Sequence, residues 1–124
     1  MILLTTKFNQ PKRGDIWRVN FDPTIGAEIK KTRPAIVISS DAVGRLPLKL
    51  IAPVTNWQPY FAQNFWHVKI EPTSENGLTK DSAIDTLQLR GVDIRRFIRK
   101  LGHIPTAKMT EIAIAIATVI ELET

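Results

Sequence analysis

Glu28, Lys30, Lys31 and Arg33 lie within six consecutive positions, one carboxylate beside three cations. That combination suits an anion: a guanidinium can clamp a phosphate through two parallel hydrogen bonds, and ammonium groups add positive potential. Glu28 is the one member able to take up a proton. Its simpler reading is a loop carboxylate paired with Lys30 or Lys31. Two histidines, His67 and His103, titrate near neutrality and suggest acid–base chemistry. His67, however, alternates with Trp66 in a strand-like run, which suits a partly exposed structural residue. The chain has no cysteine, which excludes disulfides, zinc–thiolate sites and thiol nucleophiles. No closely spaced carboxylates suggest a metal, and neither metal nor cofactor is predicted. A second basic run, Arg90, Arg95, Arg96, Arg99 and Lys100, would suit phosphates or simply form a solvated face. Trp57, Tyr60 and Phe61 could stack unpaired bases or pack in a core or an interface.

These groups need elements to position them. The first charged cluster sits on a loop between two strands. Before it, Trp17, Val19 and Phe21 recur with period two while Ile16, Arg18 and Asn20 point the other way, the pattern of a strand with one buried face. Asp22-Pro23 ends it. After it, Ala35, Ile36, Val37 and Ile38 form an unbroken apolar run, expected of a strand covered on both sides, with Pro34 as its first residue. The loop of about a dozen residues is long for a hairpin, and long loops in compact domains are usually functional or disordered. Gly26 in it is free to take a positive φ.

Further along, Leu48 to Val54 reads as a strand in which Pro53 implies an edge or a bulge, followed directly by Thr55. Asn56 to Asn64 reads as a loop, then Trp66, Val68 and Ile70 alternate as another half-buried strand. Pro72 to Lys80 carries turn residues, and Ser82 to Leu89 reads as a strand leading into the basic run. From Thr106 to Leu122 a stripe of Met109, Ile112, Ala113, Ile116, Val119 and Ile120 predicts a helix capped by Thr106, with Ile114 off the stripe. Five or six short strands and a closing helix predict a mainly β fold, a small bent antiparallel barrel.

At 124 residues and 44% apolar composition, one domain covering residues 1–124 is expected, with 1–13 as an N-terminal arm. Lys and Arg total 17 against 12 Asp and Glu, a formal charge of +5 that favours polyanionic partners. No apolar run approaches the roughly 18 residues of a membrane span, so a cytoplasmic protein without membrane contact is expected.

Taken in order, Gly14-Asp15-Ile16-Trp17, Asp22-Pro23-Thr24, Gly26-Ala27-Glu28, Lys31-Thr32-Arg33-Pro34 and Ser40-Asp41 resemble the MazF/PemK (Kid) toxins of bacterial toxin–antitoxin pairs. The likeness continues at Ile51-Ala52-Pro53-Val54-Thr55, at Gly77-Leu78-Thr79-Lys80-Asp81-Ser82 and at Lys100-Leu101-Gly102. It implies an SH3-like barrel, homodimeric, and a sequence-specific endoribonuclease that cuts single-stranded mRNA without metal. Attack by the 2′-hydroxyl would leave a 2′,3′-cyclic phosphate and a 5′-hydroxyl. The resemblance carries the catalytic pair onto Arg33 and Thr55. Arg33 is expected to stabilise charge, because a guanidinium stays protonated; Glu28 is the candidate base. Lys30, Lys31, Arg90, Arg95, Arg96 and Trp57 are candidate RNA-binding residues. The implied partner is an acidic antitoxin, with DNA contacted at most through the antitoxin complex. The alternatives are a CcdB-like gyrase poison, whose aromatic near the C-terminal end is missing from Val119 to Thr124, and an inactive RNA-binding relative.

Overall fold

In the computed structural model, which describes residues 10–123, the alternation from Ile16 to Phe21 produces strand β1 (Asp15–Asn20). Both faces of its first half are covered, not one as the alternation suggested. Trp17 and Val19 join Phe21, Ala35, Val37 and Ile51 in one apolar cluster, while Ile16 packs in a second cluster with Ile36, Val54, Ile84 and Ile112. A closing helix lies over the Ile16 side, so that side is buried too.

The apolar run after the loop forms β2 (Thr32–Val37), in which Ala35, Ile36 and Val37 are fully buried. Pro34 is its third residue, because pairing of Thr32 with Asn20 and of Arg33 with Val19 extends the strand backwards. Next comes β3 (Leu48–Asn56), which is central and not an edge. Residues Leu48 to Ile51 pair with β6 (Arg90–Asp93), Ile51 to Pro53 with β2, and Val54 to Asn56 with β5 (Ser82–Asp85). Pro53 follows the β6 pairing and precedes the β5 pairing, a place where a missing N–H is tolerated.

The remaining strands are β4 (His67–Ile70) and β7 (Phe97–His103), giving seven among the described residues in the order β4-β5-β3-β2-β1-β7, with β6 beside β3. The mainly β class with a C-terminal helix is as expected, but the path from β4 to β7 does not close into a barrel. The strand expected over Ser82 to Leu89 stops at Asp85, whose carboxylate accepts the Leu87 N–H and turns the chain. The basic run beyond it makes β6 and β7, strands not anticipated because their charged residues mask the pattern.

Helix α1 (Thr106–Val119) follows. Pro105, not Thr106, occupies the N-cap, and the Thr106 side chain makes no capping bond. Met109, Ile112 and Ala115 are its buried residues, whereas Ala113 and Ile120 of the expected stripe are exposed, because the face toward the sheet is centred on Ile112 with i±3 neighbours. Ile114 is exposed, as its position off the stripe implied. Truncating Ile112, which has no exposed surface, would cost about 2–5 kcal/mol. No helix among the described residues is long and apolar enough to cross a membrane. Of the expected arm, residues 1–9 lie outside the described chain, while Pro11 is buried and the Lys12 and Arg13 N–H groups bond to Asp15 and Asp41.

Two glycines hold the β4–β5 connection against β7. Asn76 is buried, bonding to the Glu71 carbonyl and accepting the Thr73 and Leu78 N–H groups. The next residue, Gly77, crosses Leu101, and Gly102 in turn lies under Glu75 and Asn76. His103 N–H donates to the Glu75 carbonyl at 2.9 Å.

Candidate active site

The β1–β2 loop is pinned at its base. Phe21 N–H donates to Lys31 O, and Asp22 accepts the Lys31 N–H. Lys31 takes φ 70, a left-handed conformation uncommon for a side-chain-bearing residue. Three side chains from the second half of the chain hold the loop: Arg90 donates to Phe21 O, Arg96 to the Asn20 and Asp22 carbonyls, and Gln88 accepts the Ile29 N–H. Much of the second basic run therefore acts as internal scaffolding. Arg95 instead makes a two-pronged pair with Asp93, which depresses the Asp93 carboxyl and raises the Arg95 guanidinium, chiefly through hydrogen bonding.

Where β2 begins and β3 ends, a cleft of about 200 Å³ opens. Arg33 reaches it from β2 and Thr55 from β3, and Lys80 with Thr79 comes from the β4–β5 connection. Arg33 Nε donates to the Lys30 carbonyl at 3.0 Å, which fixes the stem and leaves both terminal amino groups uncommitted among the described residues. Thr55 is half-buried and pairs across the ladder with Ala83. A guanidinium and a hydroxyl facing one small cleft can hold a phosphodiester from two sides and stabilise charge developing on its oxygens.

Other candidates stand elsewhere. Glu28 lines a neighbouring cavity of about 440 Å³ with Phe21, Pro53, Gln88 and Arg90, and its carboxylate accepts the Ile25 N–H at 2.6 Å. It folds onto its own loop and does not pair with Lys30 or Lys31. Those two lysines are exposed beside the cleft, on the loop leading to Arg33. Trp57 lies just past β3, edge-on to Phe61, with Lys69 Nζ 5.2 Å from its ring centre.

The histidines are apart from the cleft. His67 is enclosed: Phe61 stacks on it at 3.8 Å, Asn64 contacts Nδ1 at 3.2 Å, and Asp85 lies 3.7 Å from Nε2. Burial lowers its pKa, partly opposed by Asp85. His103 is exposed on β7 opposite Asp15. Among the described residues no three His, Asp or Glu side chains gather as metal ligands would.

Arg18, Asn56, Thr79, Lys80 and Ser82 also line the cleft and were not singled out beforehand. The block Gly77 to Ser82 held a signal for three of them. Arg18 had none, because its alternation with Trp17 and Val19 marked it as an outward residue.

The comparisons agree with this architecture. Residues 12–120 match the family described as PemK-like, MazF-like toxin of type II toxin-antitoxin system. Endoribonuclease MazF of Staphylococcus saprophyticus is 32% identical over 114 residues, 91% of this chain and 93% of its own. Endoribonuclease EndoA of Bacillus subtilis is 31% identical over 102 residues, 82% and 86% respectively. In fold, MazF from Deinococcus radiodurans superposes with a TM-score of 0.76 at 24% identity, covering 90% of this chain and 97% of that one. A mycobacterial endoribonuclease in complex with its cognate antitoxin gives 0.73 at 19% identity, covering 92% and 98%.

Proposed function

Because the chain belongs to the PemK-like, MazF-like toxins of type II toxin–antitoxin systems, we propose that it is an endoribonuclease acting on single-stranded mRNA through Arg33 and Thr55. The observation that carries the assignment is their convergence on one cleft from separate strands. In the reaction the ribose 2′-hydroxyl gives up its proton to a base as its oxygen bonds to phosphorus, the bond to the 5′-oxygen breaks as that oxygen takes a proton from water, and a 2′,3′-cyclic phosphate and a 5′-hydroxyl result. Arg33 holds the non-bridging oxygens and stabilises the charge they gain, and the Thr55 hydroxyl donates to the same phosphate. Neither step needs a metal ion. Glu28 serves as the base only if it leaves the Ile25 N–H and swings toward the cleft.

Lys30 and Lys31 supply long-range attraction for the RNA backbone, and Trp57 offers a stacking surface for a base. Arg90, Arg95 and Arg96 retain spare donors for phosphate beyond their protein contacts. The net charge of +5 favours an acidic antitoxin as protein partner, supported by the likeness to a toxin solved with its cognate antitoxin. The protein works in the cytoplasm, where mRNA is, as a homodimer.

The test is incubation in EDTA of wild-type protein and its Arg33→Ala and Thr55→Val variants with a long unstructured RNA, followed by mapping of the ends. Cuts at one short motif, with cyclic-phosphate ends, lost in both variants, are expected. Wild-type protein that is folded but leaves the RNA intact would refute the assignment.

A further inference from the structure

The β1–β7 pairing sets two arginines against each other: Arg18 is the direct partner of Arg99. Like charges opposed across an antiparallel pair repel. Among the described residues neither belongs to an ion pair, whereas the nearby cations are committed, Arg95 to Asp93, Lys100 to Asp15 and Arg96 to backbone carbonyls. An unneutralised pair that costs stability points to an anion from outside the chain.

Arg18 is also half-buried in the cleft that holds Arg33 and Thr55, where Lys80 adds a further cation and no carboxylate offsets them. Strand alternation sets Arg18, with its ladder partners Pro34 and Arg99, on one face of the sheet and Arg33 on the other. Positive charge thus continues round the end of the sheet, from the Arg33 face to the Arg99 face.

We propose that Arg18 and Arg99, with Lys80, bind the RNA phosphates adjoining the scissile one, and that the RNA backbone turns round the end of the sheet between the two faces. The proposal rests on the endoribonuclease reading above and extends it to the path of the substrate. At about 200 Å³ the cleft is smaller than the roughly 300–1,000 Å³ that drug-sized ligands fill, so it takes backbone and leaves the bases outside. Such a turn also selects for unpaired RNA. A single strand can bend sharply about its backbone, and a stacked, paired helix cannot follow.

The experiment uses a single-stranded oligoribonucleotide carrying the mapped cleavage site, 2′-O-methylated at the attacking hydroxyl so that it stays intact. Its affinity is measured against KCl concentration for wild type, Arg18→Gln/Arg99→Gln and Lys108→Gln, a cation beside Glu111 on the helix, with folding checked by circular dichroism. Each phosphate contact on single strands contributes about 0.7 to the slope of log K against log salt. The double variant should therefore lose about 1.4 from that slope while Lys108→Gln loses none. It should also lose most of the wild-type preference for the single strand over its duplex with a complementary strand. An unchanged slope in the double variant, with wild type binding and cutting normally, overturns the proposal and leaves the arginine pair to an acidic protein partner. Wild-type protein that neither binds nor cuts removes the endoribonuclease reading, and this proposal with it.

Discussion

Gly102→Ala is the substitution whose consequence the packing states most directly. A methyl group built there would sit 2.1 Å from the Glu75 carbonyl oxygen, 2.6 Å from the Asn76 carbonyl carbon and 2.8 Å from the Asn76 Cα. All three are backbone atoms, which cannot swing aside as a side-chain tip can. Restoring ordinary contact requires the 75–76 segment to retreat by roughly 1.3 Å. Overpacking of this kind costs about 1–3 kcal/mol, and loss of the His103-to-Glu75 hydrogen bond adds about 1 kcal/mol. The expected loss of about 2–4 kcal/mol is a large part of the roughly 5–15 kcal/mol that holds such a domain. Urea titration should show a lower midpoint with an unchanged slope. Function should suffer even where the variant is fully folded, because the displaced segment runs directly into Leu78, Thr79 and Lys80 of the cleft. A shift of about 1 Å in a positioning element can lower the cleavage rate about a hundredfold. Gly26→Ala is the comparison: it has φ 58 and nothing within 4 Å, so it carries only backbone strain of about 1–2 kcal/mol. If Gly102→Ala were within about 0.5 kcal/mol of wild type, or cost less than Gly26→Ala, the interlocking account would be wrong.

Arg33→Lys should lower cleavage about 10²–10³-fold in single-turnover assays, since an ammonium cannot reproduce the two-pronged donor set, with little change in melting temperature. Arg96→Met should lower stability by about 1–2 kcal/mol in denaturant titration by freeing the Asn20 and Asp22 carbonyls, and Arg96→Lys should recover only part of it. For His67 the unfolded chain takes up its proton before the folded one, because burial lowers the folded pKa below 6.5. Its contribution to stability is therefore complete above pH 6.5 and lost as pH falls below it, a slope that His67→Gln should flatten in melts run from pH 7.5 to 5.

Period-two and period-3.6 patterns made β1, β4 and α1 legible, and an unbroken apolar run made β2 legible, because their apolar residues meet a core. The pattern failed where burial comes from both sides, as at Ile16, where a strand is mostly exposed, as in β7, or where it is short and flanked by charge, as in β6. The capping assignment failed at Thr106 because Pro105 already sits at the cap with extended backbone, making Thr106 the first helical residue. Arg33 and Thr55 are legible through motif order and Glu28 as the one carboxylate among the loop cations, but only three-dimensional placement puts the first two in the small cleft and Glu28 in another cavity. Arg18 could not be read at all. Its meaning depends on Arg99, its partner across a ladder between distant parts of the chain, and a linear sequence does not display register.

The same ladder has a consequence for synthesis. Strand β1, which carries Arg18, lies between β2 and β7, and its second neighbour is complete only when His103 has been made. The Gly77–Gly102 crossing that steadies the Lys80 side of the cleft waits for the same stretch. Chains emerge from the ribosome N-terminus first, at about 5–20 residues per second. Between the synthesis of Thr55 and that of His103 the growing polypeptide contains Arg33 and Thr55 without the strand that completes their surroundings. An endoribonuclease is thus kept unassembled until the message encoding it has been read past the codon for His103.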